Sequence, residues 1–547
     1  MQSLVNGFRP YLLLTLLVLA VALPGLDALP PMDRDEARFI QATRQMAETD
    51  DYVVVRFLDE LRAKKPVGIY WLQTVAVEVF SHPADTRVWP YRVPSVLGVL
   101  LAVLFTFRLG VALFDRRIAL VGAAILGTAL IAVVEAHLAK TDAMLLGLTT
   151  VVLTGLGLVY MQGRGGTAAP SWVPLVFWLA LGMSILVKGP VTPMIVVITG
   201  LALAAADRSF GWLNGLRPVM GVILTAAVVT PWFLAVSEQT GGAFLTEAVR
   251  GDLIPKLIGG HESHGAPPGY HALLVSLLLW PASLFLWPAL ARAWRERALP
   301  GVRFALAWLV PSWVMFELIP TKLPHYTLPL YPALALLIAV TLFAVRDGTY
   351  ERLARLPARL WYTVWGVIGV ALAGVMIAVP VLHGDGVGVW PVLAALGALV
   401  AVVGGLWHAF RRRYLNALMA GMVGAVILHA SVFAGVLPGL SDLWVSQRVA
   451  HAADVHAPGA ALAAVGFHEP SLVFLMGTDT VLADTGVAAA EALASGRVGV
   501  AAIEAAATDA FIAAAAERGF AVRPAEVVEG LNYSRGKPVR MTLYVPE

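Results

Sequence analysis

The chain has no cysteine in its 547 residues, so no disulfide holds any loop and no thiol chemistry is available. Charge is scarce as well: 14% of residues are Asp, Glu, Lys or Arg, against 59% apolar. A soluble protein of this length has no way to hide that much apolar surface, which leaves a polytopic membrane protein. There is no internal repeat, no Gly-rich nucleotide-binding loop and no low-complexity segment beyond an alanine bias. The net charge is only +3, and the Arg excess is local, so it marks membrane orientation and not a nucleic-acid partner.

What is present is a series of apolar stretches. Thirteen are expected to span: 11–23, 93–109, 118–135, 141–160, 173–187, 190–206, 218–236, 270–291, 304–319, 328–345, 361–381, 390–410 and 415–437. The first resembles a secretory signal, but no small-x-small cleavage site follows it, and it reads as an uncleaved span. Alternate short connections on one side carry 18 Lys or Arg, all of them Arg, from Arg9 to Arg413. The opposite short loops carry five: Lys140, Lys188, Arg250, Lys256 and Lys322. The positive-inside rule then places the N-terminus in the cytoplasm and the C-terminal tail outside.

Two larger pieces fall outside by this count. Residues 24–92 contain two amphipathic stretches, 35–48 and 67–80, and aromatic residues (Trp71, Phe80, Trp89, Tyr91) suited to the headgroup layer. Residues 441–547 alternate short apolar runs (461–466, 499–503, 541–545) with Ala-rich helical stretches (487–495, 505–516), which predicts a small α/β domain. Residues 1–440 form the membrane domain, with a further outer loop over 237–269. Asn532-Tyr533-Ser534 matches an N-glycosylation acceptor, a weak signal in a chain this long.

Unusual polar clusters gather on that outer side. Asp33-Arg34-Asp35-Glu36 opens a helix, with Asp33 and Glu36 placed as a capping box and Asp35 free to act as a general base. Helix-dipole stabilisation is the plainer role for Asp35. Lys140 and Asp142 flank a short apolar turn, where an ion pair costs free energy unless it serves a purpose. Lys64-Lys65-Pro66 precedes Tyr70-Trp71, Lys188-Gly189-Pro190 separates two spans, and Lys322 precedes Pro324-His325-Tyr326. Each lysine alone is an ordinary interfacial snorkeller. Together they point to an anion, with phosphate the natural candidate. The loop after Asp252 holds Lys256, Gly259-Gly260, His261, Glu262, His264 and Pro267-Pro268. Its His-Glu-x-His spacing is not the helical zinc pattern, so hydrogen bonding to phosphate or sugar by a loop that orders over substrate is preferred to a metal.

In this order, Asp35-Glu36-Ala37-Arg38, Lys65-Pro66, Tyr70-Trp71, Lys188-Gly189-Pro190, 259–265 and Lys322-Leu323-Pro324-His325-Tyr326 with Leu328-Pro329-Leu330-Tyr331-Pro332 resemble bacterial aminoarabinose-to-lipid A transferases. These belong to the wider protein O-mannosyltransferase-like, GT-C class. The resemblance covers about residues 30–345. It implies a polytopic GT-C fold and an inverting, polyprenyl-phosphate-sugar-dependent glycosyltransferase of the bacterial inner membrane, with the C-terminal domain periplasmic. The donor lipid would lie between helices, and the acceptor would be lipid A, lipopolysaccharide or another envelope lipid or glycan.

Carried over, Asp35 and Asp142 are the catalytic carboxylates, and Lys65, Lys188, Lys322, His325 and Tyr326 bind the donor phosphate. Glu36, Arg38, Lys64, Tyr70, Lys140, Lys256, His261, Glu262 and His264 complete the substrate region. No cofactor is required; a divalent metal is compatible with the family but not predicted. Where some relatives have Glu-Lys-Pro, this chain has Lys64-Lys65-Pro66, which puts a metal site there in doubt and suits a more acidic donor or acceptor. Competing readings are a peptide acceptor, a lipid-linked-sugar flippase or transporter, and a non-catalytic scaffold. The transporter reading is disfavoured because the charges sit at one face and no repeat is present.

Overall fold

Within lipid a chain can satisfy its backbone N–H and C=O groups internally only as helix or closed barrel, and these apolar runs fold as helices. The computed structural model describes residues 5–258, 265–346, 353 and 355–547. Eight helices among the described residues are long and apolar enough to cross a membrane, ten if each of two bent pairs is one span. The bent pairs are Arg116–Thr128 with Leu130–Ala136, at 59°, and Tyr270–Leu278 with Ala282–Arg295, at 119°. Three shorter apolar helices, Arg9–Ala22, Val173–Lys188 and Val191–Asp207, accompany them. The expected spans 118–135 and 270–291 are therefore each broken, a feature that apolar periodicity does not encode.

The helices Trp89–Leu113 and Thr141–Gln162 form the centre of the bundle. A Cβ on Gly98 would lie 2.4 Å from the Ala143 carbonyl oxygen, and one on Gly147 2.5 Å from that of Gly98. Glycine at both positions lets the two backbones touch, the small-residue packing common between membrane helices. This contact fixes the first turn of Thr141–Gln162, which carries Asp142.

Between the apolar helices Arg9–Ala22 and Trp89–Leu113 lie the helices Asp35–Thr49 and Gly68–Phe80, joined through a short hairpin of β1 (Arg56–Phe57) and β2 (Glu60–Leu61). The helix at Asp35 starts otherwise than the sequence suggests. Its N-cap is Arg34, at φ 68° and with no side-chain capping bond. Asp33 instead accepts a hydrogen bond from the Ser471 backbone N–H at 3.0 Å. Glu36 accepts from the Met32 and Ala139 backbone N–H groups at 2.9 and 2.7 Å and pairs with Arg92. The expected capping box is thus replaced by two long-range contacts. Tyr91, expected among the interfacial aromatics, is buried edge-on against Phe474, with ring centroids 5.5 Å apart.

Residues from Leu462 onward form a five-stranded sheet in the order β4-β3-β5-β7-β6, where β3 is Leu462–Val465, β4 Val481–Ala483, β5 Val500–Glu504, β6 Val522–Asn532 and β7 Lys537–Pro546. The first three are parallel, and β7 and β6 are antiparallel additions. Helices Pro470–Met476, Gly486–Ala494 and Thr508–Glu517 connect the strands. This unit is fastened to the helix Asp35–Thr49: Arg44 donates to the Phe474 carbonyl at 2.8 Å, Gln41 to Thr478 at 2.9 Å, and the Asp33 N–H to the Tyr533 hydroxyl at 2.6 Å. Asn532 is buried and donates to Glu469 at 2.8 Å, an internal role that takes the place of the glycosylation reading.

Candidate active site

A cavity of about 870 Å³ opens where these pieces meet. One wall is the start of the helix Asp35–Thr49, with Asp35 and Arg38. A second is the hairpin and following loop, with Arg62, Lys64 and Lys65. The floor is the break before the helix Thr141–Gln162, with Lys140 and Asp142, the end of Val173–Lys188, with Lys188, and the turn carrying His325 and Tyr326. Its lining holds nine Lys or Arg against six Asp or Glu, a balance that favours an anionic ligand.

The floor is a buried network of charges. Asp142 accepts from Lys188 in a short contact and lies 3.6 Å from both the Lys140 ammonium and His325 Nε2. Lys140 is 3.0 Å from Glu135, whose second oxygen has no partner among the described residues. Burial alone would pull Lys140 down, but Glu135 and Asp142 outweigh it and hold its pKa above the ordinary lysine value. The Lys188 ammonium stands 5.5 Å from the centre of the Tyr326 ring.

At the rim, Lys65 lies 3.6 Å from Asp252, which also takes a short contact from Lys256. Burial, and then the neighbouring Lys256 and Lys188, bring Lys65 down to about 8 against the pull of Asp252 and Asp35. Asp252 is held below the usual carboxylate range: burial would raise it, but Lys65 and Lys256 prevail. Asp35 differs from the other carboxylates. It is exposed to the cavity and makes no hydrogen bond or ion pair among the described residues. Its charge reaches Lys65 and Lys140 across the space between them.

The cavity thus gathers Asp35, Arg38, Lys64, Lys65, Lys140, Asp142, Lys188, Lys256, His325 and Tyr326. Three expected members stand outside its lining. Glu36 is buried against Arg92. Tyr70 is buried behind the wall, where its hydroxyl accepts from Arg62 at 3.1 Å. Lys322 is buried and donates to the Ile319 and Ala266 carbonyls at 2.6 and 2.9 Å, which engages its ammonium in bracing the loop. Lys322→Met is therefore expected to leave donor KM within about twofold while lowering stability by about 1–3 kcal/mol, measured by thermal unfolding. A large rise in KM would place Lys322 at the donor. His261, Glu262 and His264 lie outside the described residues.

Sequence reasoning missed other groups in and beneath the cavity wall. Glu135, beneath the floor, was a single carboxylate inside an apolar run, and that was its signal. His468, Glu469, Ser534 and Arg535 reach the cavity from the C-terminal unit, and nothing local marks them. Among the described residues no three His, Asp or Glu side chains are grouped as metal ligands would be.

The profile of the family described as dolichyl-phosphate-mannose-protein mannosyltransferase matches residues 32–240. An undecaprenyl phosphate-alpha-4-amino-4-deoxy-L-arabinose arabinosyl transferase of Pectobacterium atrosepticum is 27% identical over 384 residues, 69% of this chain and 66% of that protein. The like-named protein of Pseudomonas paraeruginosa is 26% identical over 422 residues, 76% of this chain and 74% of its own. In three dimensions the chain resembles ArnT from Cupriavidus metallidurans, solved in the apo state and bound to undecaprenyl phosphate. Each comparison gives a TM-score of 0.74 at 19% identity, covering 97% and 98% of both chains respectively. The Archaeoglobus fulgidus oligosaccharyltransferase is more distant, at a TM-score of 0.50 and 12% identity over 91% of this chain.

The chain shares its polytopic helical fold with these solved structures. In sequence the chain is similar to the aminoarabinose transferases, and its residues 32–240 to the mannosyltransferase family.

Proposed function

We propose that the protein is an inverting glycosyltransferase that moves a sugar from a polyprenyl-phosphate donor to an envelope lipid or glycan. The observation that carries this reading is the opposition of an unpaired carboxylate, Asp35, to a floor and rim of lysines within one cavity. In the proposed step the donor phosphate lies against Lys65, Lys188 and Lys140, near His325 and Tyr326. Asp35 takes the proton of the acceptor hydroxyl as its oxygen forms a bond to the anomeric carbon. On the opposite face the bond from that carbon to the phosphate oxygen breaks, and the electron pair leaves with the phosphate. The lysines stabilise the charge that develops there, in a site already arranged to receive it. Asp142 holds Lys188 and Lys140 in position and helps to keep Lys140 charged.

The same reading assigns the three shorter apolar helices and both bent pairs to the membrane, which makes 13 spans. It places residues 1–440 in the membrane domain and 441–547 on the periplasmic side with the cavity, and the N-terminus in the cytoplasm. The names of the relatives support aminoarabinose as the sugar and undecaprenyl phosphate as its carrier. The test is transfer by the purified full-length protein from undecaprenyl-phosphate aminoarabinose to lipid A, followed by mass spectrometry. Release of undecaprenyl phosphate with a matching mass gain on lipid A supports the reading; no release with any envelope acceptor overturns it. A peptide acceptor is the second reading, favoured by the mannosyltransferase match over residues 32–240, and a peptide arm of the same assay separates the two.

The rim lysine gives a pH test. Lys65 is charged below about 8 and loses its proton above, so phosphate binding weakens as pH rises through that value. The profile of kcat/KM, which reports the free enzyme, is expected to fall above pH about 8. The kcat profile should stay level to higher pH, because bound phosphate holds the proton on the amine. Lys65→Arg should shift the alkaline limb upward, and Lys65→Gln should remove it while raising donor KM throughout. An unchanged limb in the Gln variant would assign the titration to another group.

A further inference from the structure

A second cavity lies behind the catalytic segments. It has a volume of about 180 Å³ and sits between the helices Leu130–Ala136, Leu356–His383 and Tyr414–Ser431. Leu29 and Met32, which lead into Asp35, form part of its wall, and so does Leu138, which precedes Lys140. Leu372, Met376 and Val134 are only half-buried, so the pocket opens sideways through apolar side chains.

One lining group does not fit an empty apolar hollow. His429 is buried, and neither of its ring nitrogens has a partner among the described residues. Its neighbour His137 provides the contrast. That ring stacks on Phe433 at 3.6 Å, and its nitrogens meet the Val133 and Pro24 carbonyls at 2.8 and 3.0 Å. An imidazole buried without partners is costly, and a water molecule is a poor remedy here because it needs two to four polar contacts. The remaining lining is apolar.

We infer that this pocket takes a segment of an alkyl chain carrying a hydroxyl, with the hydroxyl hydrogen-bonded to His429. A cavity of about 150 Å³ lined by apolar residues already accepts benzene, so the volume suits a short run of chain. A neutral imidazole has one N–H and one lone pair, and a hydroxyl both donates and accepts, so a single group answers either nitrogen. A polyprenyl chain has no such group along its length. The inference rests on the proposed function in one respect only: it makes this chain a tail of the acceptor lipid, held directly behind the segments that carry Asp35 and Asp142.

The test uses the purified full-length protein and native mass spectrometry of retained lipid. Its probes are a hydroxymyristoyl phosphatidylethanolamine, the unsubstituted myristoyl lipid and undecaprenyl phosphate. The unaltered protein is expected to prefer the hydroxylated chain by roughly 3- to 10-fold, the worth of one net hydrogen bond. His429→Leu should abolish that preference and still retain the plain chain. Leu372→Trp, which fills the mouth, should reduce retention of both. The thermal midpoint of His429→Leu should be no lower than that of the unaltered protein, since neither nitrogen loses a partner; this separates loss of preference from loss of fold. Equal retention of the two acyl lipids, a preference that survives in His429→Leu, or displacement of the hydroxylated lipid by undecaprenyl phosphate would each overturn the inference. Transfer activity is read separately: transfer without the preference ends this inference alone, and the preference without transfer ends only the proposed function.

Discussion

Asp35→Asn is expected to lower kcat by about 10²–10⁴-fold, the range removed with a positioned general base. The amide keeps the shape and position of the carboxylate but cannot take a proton. Because the Asp35 side chain makes no hydrogen bond or ion pair among the described residues, the substitution breaks no bonded contact and removes only its longer-range pull on Lys65 and Lys140. Donor affinity should change by no more than about twofold, and the thermal midpoint should hold, since an exposed substitution away from any partner lies within about 0.5 kcal/mol. Single-turnover kinetics with saturating donor, alongside an independent binding measurement, reads both quantities. Equal loss of donor binding and rate would mean that Asp35 holds the donor and does not act as base. An unchanged rate would remove it from the chemistry.

The second large effect concerns its sequence neighbour and is structural. Glu36→Ala is expected to destabilise the protein by about 3–5 kcal/mol, the usual result of removing one member of a buried ion pair. Arg92 is fully buried, donates to Glu36 through two nitrogens at 2.9 Å, and also donates to the carbonyls of Leu26, Leu29 and Pro30. Without Glu36 its charge has carbonyls but no counter-charge, and the Met32 and Ala139 N–H groups lose their acceptor. Glu36→Gln retains some of these bonds and should cost less. Thermal unfolding in detergent reads the difference, and a midpoint within a degree of the unaltered protein would show that the pair contributes little. The adjacent Asp35 and Glu36 thus separate cleanly, one variant failing in rate and the other in stability.

Much of the fold was legible because its signals are local. The long apolar helices follow from composition, and the helices Asp35–Thr49 and Gly68–Phe80 appear within a residue or two of the amphipathic stretches 35–48 and 67–80. The break angles were not legible, because apolar character continues through them. Strand β6 was missed because Arg523, Glu526 and Glu529 recur every third residue, which breaks the two-residue alternation of a strand and leaves no apolar run.

The site divides in the same way. Lysines and carboxylates in apolar turns advertised themselves, since such charges are expensive there, and Lys140, Asp142 and Lys188 do meet. Lys322 carried the same signal and proved to brace a loop, because sequence does not reveal that two carbonyls lie within reach of its ammonium. Glu36 looked like a cap because its partner Arg92 stands 56 positions away. The contributions of Glu469, Ser534 and Arg535 depend on chain segments that meet only after folding.

The contact between Asp33 and Tyr533, 500 residues apart, has a consequence for biogenesis. A nascent polypeptide halted before its final hairpin can insert every apolar helix and still lack one side of its reaction chamber. The cavity wall is therefore complete only once the hairpin of β6 and β7 has folded against the segment around Asp33.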